Sequence, residues 1–196
     1  MSPGATFERV YRSLKEQLGD GRFRPGEHLE PRVLSDSLNA SITPVRDALH
    51  RLVGERLVDA PRGDGFRTPT VTELGLRHLY AWSGTLLVLA ARSAGGAPPV
   101  SVDDNPPHST ERLFARIAQG SGNPEHVEAV LRLNDRLRLL RTIEPSILGD
   151  PAPELQQLAE LLDRGEAPGL RRSLAAFHRR RERIAPQLVE LLLRDG

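Results

Sequence analysis

The chain has 196 residues, enough for one or two modest cores, and contains no cysteine, which excludes disulfides, cysteine-ligated zinc and thiol catalysis. Aromatic residues make up 4%, too few for a stacking platform for single-stranded nucleic acid, and no apolar run approaches the length of a membrane span. The formal charge is +1, with eleven Lys/Arg against ten Asp/Glu over residues 1–70 and sixteen of each beyond, so any electrostatic footprint depends on where the arginines face.

The opening MSPGATFERVYR lacks the basic-then-apolar pattern of a secretory signal, and a cytoplasmic protein with no membrane partner is expected. FERVYRSLKEQL places Phe7, Val10, Tyr11, Leu14 and Leu18 at helical spacing and stops at Gly19-Asp20-Gly21. RFRPGEHLEP follows with a Pro-Gly turn. PRVLSDSL reads as a short helix with Pro31 in its first turn, and NAS as a three-residue turn. A third helix then starts with Thr43 as N-cap and Pro44 as first helical residue, burying Val45, Ala48, Leu49 and Leu52. RLVDAP and FRTPTV read as two short strands around RGDG, where Gly63 and Gly65 allow positive φ. This order of elements is that of a winged helix-turn-helix, expected over residues 1–70.

From residue 71 to 196 every periodicity is helical, so the fold class expected is mainly α: three helices and a β-hairpin wing, then an all-helical bundle. TELGLRHLYAWSGTLLVLAARSA is a long helix with an apolar second half, and GGAPPVSVDDNPPHS a Gly/Pro-rich loop. Ser109 or Thr110 caps ERLFARIAQ; PEHVEAVLRLNDRLRLLRTIE and APELQQLAELLDRG are two further helices. The last, PGLRRSLAAFHRRRERIAPQLVELLL, lines Leu170, Leu174, Phe177, Arg181 and Ile184 along a seam and kinks at Pro186. Trp82, Leu86, Phe114 and Phe177 read as a shared core.

The run from VYRSLKEQLGDGRFRPGEHLEPRVLSDSLNASITPVRDALHRLVGERLV to GDGFR resembles the winged-helix domain of the GntR family of bacterial transcription regulators, most specifically in the TPVR…AL…RL…LV spacing. LFARIAQGSGN and LDRGEAPGLRRSLAAFHRRRERI resemble, more faintly, the FCD effector domain of the FadR-type branch. The resemblance implies a homodimer on a pseudo-palindromic double-stranded DNA operator, released when a small-molecule effector enters the helical domain. It also implies DNA contacts by Arg32, Ser41, Thr43, Pro44 and Arg46, and a minor-groove wing tip at Gly65. Ile42 departs from the arginine usual at that position, which removes one guanine contact and leaves at most a thymine-methyl contact.

Arg46 near a helix start has the fork needed for guanine O6 and N7, and the hydroxyls of Ser41 and Thr43 suit phosphate. Taken singly, Arg46 is equally a solvated neighbour of Asp47, Arg32 a surface residue, His50 a solvated histidine and Thr43-Pro44 a helix start in any protein. Their joint placement on one unit favours the DNA reading. The resemblance further implies a metal held by one Asp and three His, but the matching positions are Thr110, Phe114, Leu155 and Phe177 or His178. His108, Glu111 and His126 offer no defensible replacement spacing, so no metal and no cofactor is expected. Ser83 and Leu87 replace the arginine and glutamate common in the first effector helix, implying a smaller, drier or absent pocket. No nucleophile motif or phosphate loop is present, and Asp103-Asp104 lie in a Pro-rich loop, so an enzyme is not expected. The competing reading is a ligand-binding or protein-interaction module that no longer binds DNA.

Overall fold

The computed structural model describes residues 3–92 and 106–194, and its contacts divide the chain into two compact units, one of Met1–Val71 with Leu192–Gly196 and one of Thr72–Leu191. The GGAPPVSVDDNPP loop, with Asp103 and Asp104, lies almost wholly outside the described residues. The molecule is mainly helical.

In the first unit α1 (Pro3–Gly19) begins four residues before the expected Phe7. It ends where Gly21 takes φ +75° and Arg22 N–H reaches back to the Gln17 carbonyl at 3.0 Å. Arg24-Pro25-Gly26-Glu27 is the expected turn: the Glu27 N–H donates to the Arg24 carbonyl at 3.1 Å and Gly26 has φ +80°. Pro31 opens α2 (Pro31–Ser37), whose start is capped by Glu30. Asn39 then adopts φ +47°, so that the Ala40 N–H closes on the Ser35 carbonyl at 3.0 Å.

The third helix, α3 (Ile42–Gly54), starts two residues earlier than expected. Ser41 is the N-cap, with extended backbone and no side-chain capping bond, and Thr43 and Pro44 lie inside the first turn. Pro44 is tolerated there because the first four helical N–H groups lack intrahelical acceptors, so its missing hydrogen forfeits no bond. The buried face is the expected Val45, Ala48, Leu49 and Leu52, which meets Val10, Tyr11 and Leu14 of α1 and Leu34 and Leu38 of α2.

The expected pair of wing strands is not confirmed. Among the described residues there are only isolated antiparallel bridges, Asp59 with Arg67 and His28 with Arg67. Asp59 and Arg67 exchange hydrogen bonds of 2.8 and 2.9 Å, and the segment 27–29 adds Leu29 N–H to the Phe66 carbonyl at 2.8 Å. Pro61 and Pro69 lack the N–H a longer ladder would need, so pairing stops at one rung. Gly63 and Gly65 have φ +78° and +66°, as their tip position required.

Among the described residues the second unit is built of helices: α4 (Glu73–Ala90), α5 (Pro106–Gln119), α6 (Pro124–Ile143), α7 (Pro145–Leu148), α8 (Ala152–Asp163), α9 (Ala167–Arg183) and, up to Leu191, α10 (Ala185–Arg194). The Thr72 hydroxyl caps α4 by accepting from Gly75 N–H, and the Asn123 side chain caps α6. Three expectations are corrected. Because α5 starts at Pro106, Ser109 and Thr110 are buried helix residues rather than caps. The final pattern breaks into two helices at Ile184, two residues before the helix-disrupting Pro186. Trp82 is 52% exposed and outside the core, whereas Leu86, Phe114 and Phe177 are buried in it with Leu113, Leu155, Leu170 and Leu174. The Trp82 error has a simple origin: α4 is apolar on nearly every side, so periodicity does not say which apolar residues face out.

Candidate nucleic-acid interface

The first unit presents the N-terminal turn of α3 to solvent. Ser41, Ile42, Thr43, Arg46, Asp47 and His50 are exposed and Pro44 is half-buried. With the four-residue offset between 42 and 46, Ile42 and Arg46 share one outward face, opposite the buried Val45–Leu49 face. Arg32 is exposed on α2. Neither Arg32 nor Arg46 has a side-chain hydrogen bond or ion pair within the described residues, and both remain available as donors.

Other arginines of this unit are committed. Arg9 of α1 donates to the Leu38 carbonyl at 2.9 Å and the Asn39 carbonyl at 3.3 Å, holding the turn that sets α2 against α3. Arg51 bonds Glu8 at 3.1 Å and Glu55 at 3.4 Å and covers the Tyr11 ring at 4.0 Å. The Tyr11 hydroxyl donates to Glu55 at 2.7 Å, and Lys15 joins that carboxylate at 3.2 Å. Burial would raise Glu55, but the Tyr11 hydrogen bond and the Lys15 charge outweigh it and hold the carboxyl below its ordinary range. Arg67 bonds Asp64 at 3.3 Å across the loop base. These scaffold contacts were missed by sequence reading. Only the helical spacing of Tyr11 and Lys15 hinted at them.

Two contacts fix the loop that carries Gly63 and Gly65. The His50 ring meets Phe66 edge-on with centroids 4.9 Å apart, so His50 is neither a free histidine nor a simple solvated one. The buried Thr68 hydroxyl donates to the Arg24 carbonyl and accepts the Glu27 N–H at 2.9 Å, joining the Pro-Gly turn to the loop base. A Cβ at Gly65 would meet nothing within 4 Å, so its φ rather than crowding calls for glycine. The structure thus brings Ser41, Thr43, Pro44 and Arg46 onto one helical turn, and puts Arg32 and Gly65 on separate elements of the same unit.

The second unit holds a buried polar network among its helices. Arg181, 1% exposed, donates from Nε to Glu144 at 2.7 Å, and the Tyr80 hydroxyl donates to the other Glu144 oxygen at 2.8 Å. Arg141 donates to Asn134 at 3.0 Å, while its Nη1 and the Oε1 of Glu111 are buried without hydrogen-bond partners. Burial pushes Glu111 up and Arg141 down from their ordinary values. His178 is buried with Nδ1 2.8 Å from the Leu174 carbonyl and Nε2 3.1 Å from the Ser83 hydroxyl, and burial lowers its pKa to about 3. His126 bonds the Leu86 carbonyl at 2.7 Å and His108 bonds Arg138 at 2.9 Å. Among the described residues no three of the His, Asp and Glu side chains converge as a metal site would need.

Comparison with known proteins agrees with this geometry. Residues 6–67 match the family described as "Bacterial regulatory proteins, gntR family". Over 89 residues the chain is 34% identical to the HTH-type transcriptional repressor GlaR of Escherichia coli, covering 44% of this chain and 40% of GlaR. Over 71 residues it is 41% identical to the HTH-type transcriptional regulator McbR of E. coli, covering 36% and 31%. The chain thus aligns with less than half the length of these curated relatives. At the level of fold the likeness is longer: the McbR structure superposes with TM-score 0.67 at 23% identity over 93% of this chain and 97% of that one. A GntR regulator structure from Rhodococcus sp. RHA1 gives 0.73 at 17% identity over 93% and 98%. The N-terminal unit is thus similar to the gntR-family domain over residues 6–67, and the chain shares the fold of these solved regulators over most of its length.

Proposed function

We propose that this chain is a sequence-specific DNA-binding transcription regulator that acts as a homodimer on a pseudo-palindromic operator. The observation that carries the reading is the unpaired, exposed Arg46 on the first turns of α3, beside committed arginines that brace the scaffold. A major groove admits one helix and is read from residues near its N-terminus. Arg46 donates to a guanine edge, Ser41, Thr43 and the free N–H groups of the first turn hold phosphate, Pro44 shapes that turn, and Arg32 adds a backbone contact from α2. The loop around Gly65 is the wing, entering the adjacent minor groove. Two copies are needed because one such module makes too few contacts for tight specific binding.

The helical unit is proposed to respond to a small molecule without a metal. Both nitrogens of His178 are already engaged, Phe114 and Leu155 bring no ligating atom, and Thr110 offers only a neutral hydroxyl in place of a carboxylate. Arg141 retains one buried donor without a partner, suited to an anionic or carbonyl group.

Selection of bound duplexes from a random pool by the purified chain tests the proposal, with inverted half-sites about one helical turn apart as the expected product. On the selected site Arg46→Ala should weaken binding roughly 5- to 150-fold per half-site, from a base contact of about 1–3 kcal/mol. Binding that is insensitive to salt, or unchanged in Arg46→Ala, overturns the reading. The absence of any duplex binding at low salt would favour an interaction module instead.

A further inference from the structure

Helix α4 leaves one stripe in solvent: Leu74, His78, Ala81, Trp82, Thr85 and Leu89 are all exposed, with Leu74 at 63%, Trp82 at 52% and Leu89 at 49%. Three large apolar side chains on one helix face are more than scattered surface hydrophobes, and the Trp82 indole N–H has no partner among the described residues. The stripe also has an internal symmetry. A two-fold axis passing between Ala81 and Trp82, perpendicular to the helix, carries Leu74 onto Leu89, His78 onto Thr85 and Ala81 onto Trp82. That is the condition for an isologous contact, in which each residue meets a counterpart on an identical surface.

Charge fits the same operation. Among the described residues Arg92, just past the end of α4, is exposed and has no side-chain partner, while Glu73 at the other end is held only by Arg77 at 2.8 Å. In an antiparallel pair of α4 helices Arg92 of one copy comes to the end where Glu73 of the other lies. A parallel pair would place the two Arg92 side chains together.

We infer that the exposed face of α4 is the surface on which a second copy of this chain docks, antiparallel, with Trp82 at the centre and Leu74 packed against Leu89 of the other copy. This rests on the homodimer reading above and names its contact. The interface buries the three exposed apolar side chains of each copy and supplies Arg92 with a carboxylate.

Sedimentation of the full chain without DNA, together with engineered crosslinks, tests it. Wild-type should sediment as a dimer. Trp82→Glu and Leu89→Glu should sediment as monomers, with the dimer Kd raised at least 100-fold, while Leu131→Glu, at an exposed apolar site on α6, should leave the dimer intact. Because the chain has no native cysteine, crosslinks report position directly. Ala81→Cys should give an oxidised covalent dimer. Leu74→Cys alone should not, since the two copies of residue 74 would lie about 22 Å apart along antiparallel helices, but Leu74→Cys with Leu89→Cys should. A monomeric wild-type chain, or a dimer in which Ala81→Cys fails to crosslink, overturns the inference. A crosslinked dimer that binds no duplex leaves this interface standing and removes only the regulator reading.

Discussion

The Tyr11 hydroxyl, on α1, sits between the two carboxylate oxygens of Glu55, at 2.7 and 2.8 Å, just past the end of α3. Arg51 stacks on the same tyrosine ring and bonds the same carboxylate, so one cluster fixes the exit of the helix whose entrance carries Arg46. Tyr11→Phe removes the hydroxyl from a charged acceptor and should cost about 1.5–3 kcal/mol in denaturant unfolding. Glu55 is held below its ordinary range, so its contribution is present above the pKa of an unfolded glutamate and is lost as pH falls through the lower folded value. Tyr11 is raised, chiefly by burial and then by its bond to Glu55, so its contribution is present below the ordinary tyrosine pKa and is lost as pH rises through the higher folded one. Both slopes should flatten in Tyr11→Phe.

Ile42 occupies the outward face of α3 one turn before Arg46 and is 43% exposed, with nothing restraining a longer side chain. Ile42→Arg should leave the melting temperature within a degree or two, since surface changes of this kind stay near ±0.5 kcal/mol. It should add a guanine preference of about 1–3 kcal/mol at one step of each half-site, read by repeating the selection with the variant.

His178 is neutral in the folded chain, with its pKa lowered to about 3, mainly by burial. Below the pKa of an unfolded histidine, near 6.5, the unfolded chain takes up a proton that the folded chain refuses. Stability should therefore be full above that point and fall by about 1.4 kcal/mol per pH unit toward the folded value. His178→Gln should remove this limb of the pH-stability curve. Added Zn²⁺ should leave the melting temperature of the wild-type chain unchanged, whereas a stabilisation abolished by His178→Gln would restore a metal reading.

Gly84 of α4 faces the same imidazole. An added Cβ would lie 3.1 Å from both Cβ and Cγ of His178. Glycine to alanine inside a helix ordinarily gains up to about 1 kcal/mol. Here the ring is anchored at both nitrogens and has no room to yield, so Gly84→Ala should lower the melting temperature, while Gly4→Ala on α1, with open space around it, should not.

The parts of this molecule written in local periodicity were legible. Val45, Ala48, Leu49 and Leu52 gave the phase of α3, and with it the outward direction of Arg46. The Leu170-to-Ile184 seam was read correctly because buried positions recur along one helix face. The helix start at Ser41 was misplaced by two residues because Thr-Pro is itself a strong start signal, and nothing local separates Pro at the first helical position from Pro at the third. The Tyr80–Glu144–Arg181 network was invisible because its members lie far apart in sequence, and although Arg181 fell on the seam nothing local named its partners. Polar interiors have no period, and only the packing of α4, α6 and α9 reveals this one.

The single Asp59–Arg67 rung, bracketed by Pro61 and Pro69, has a consequence for deuterium uptake. Backbone amides of Leu29, Asp59, Arg67 and Thr68 are each bonded to a carbonyl, whereas the tip around Gly63 and Gly65 has little to slow exchange. The free chain should therefore take up label at the tip within seconds while the stem lags. On the proposed function, such a tip would meet DNA as a short tether clamped at its root, free to fit grooves of different width.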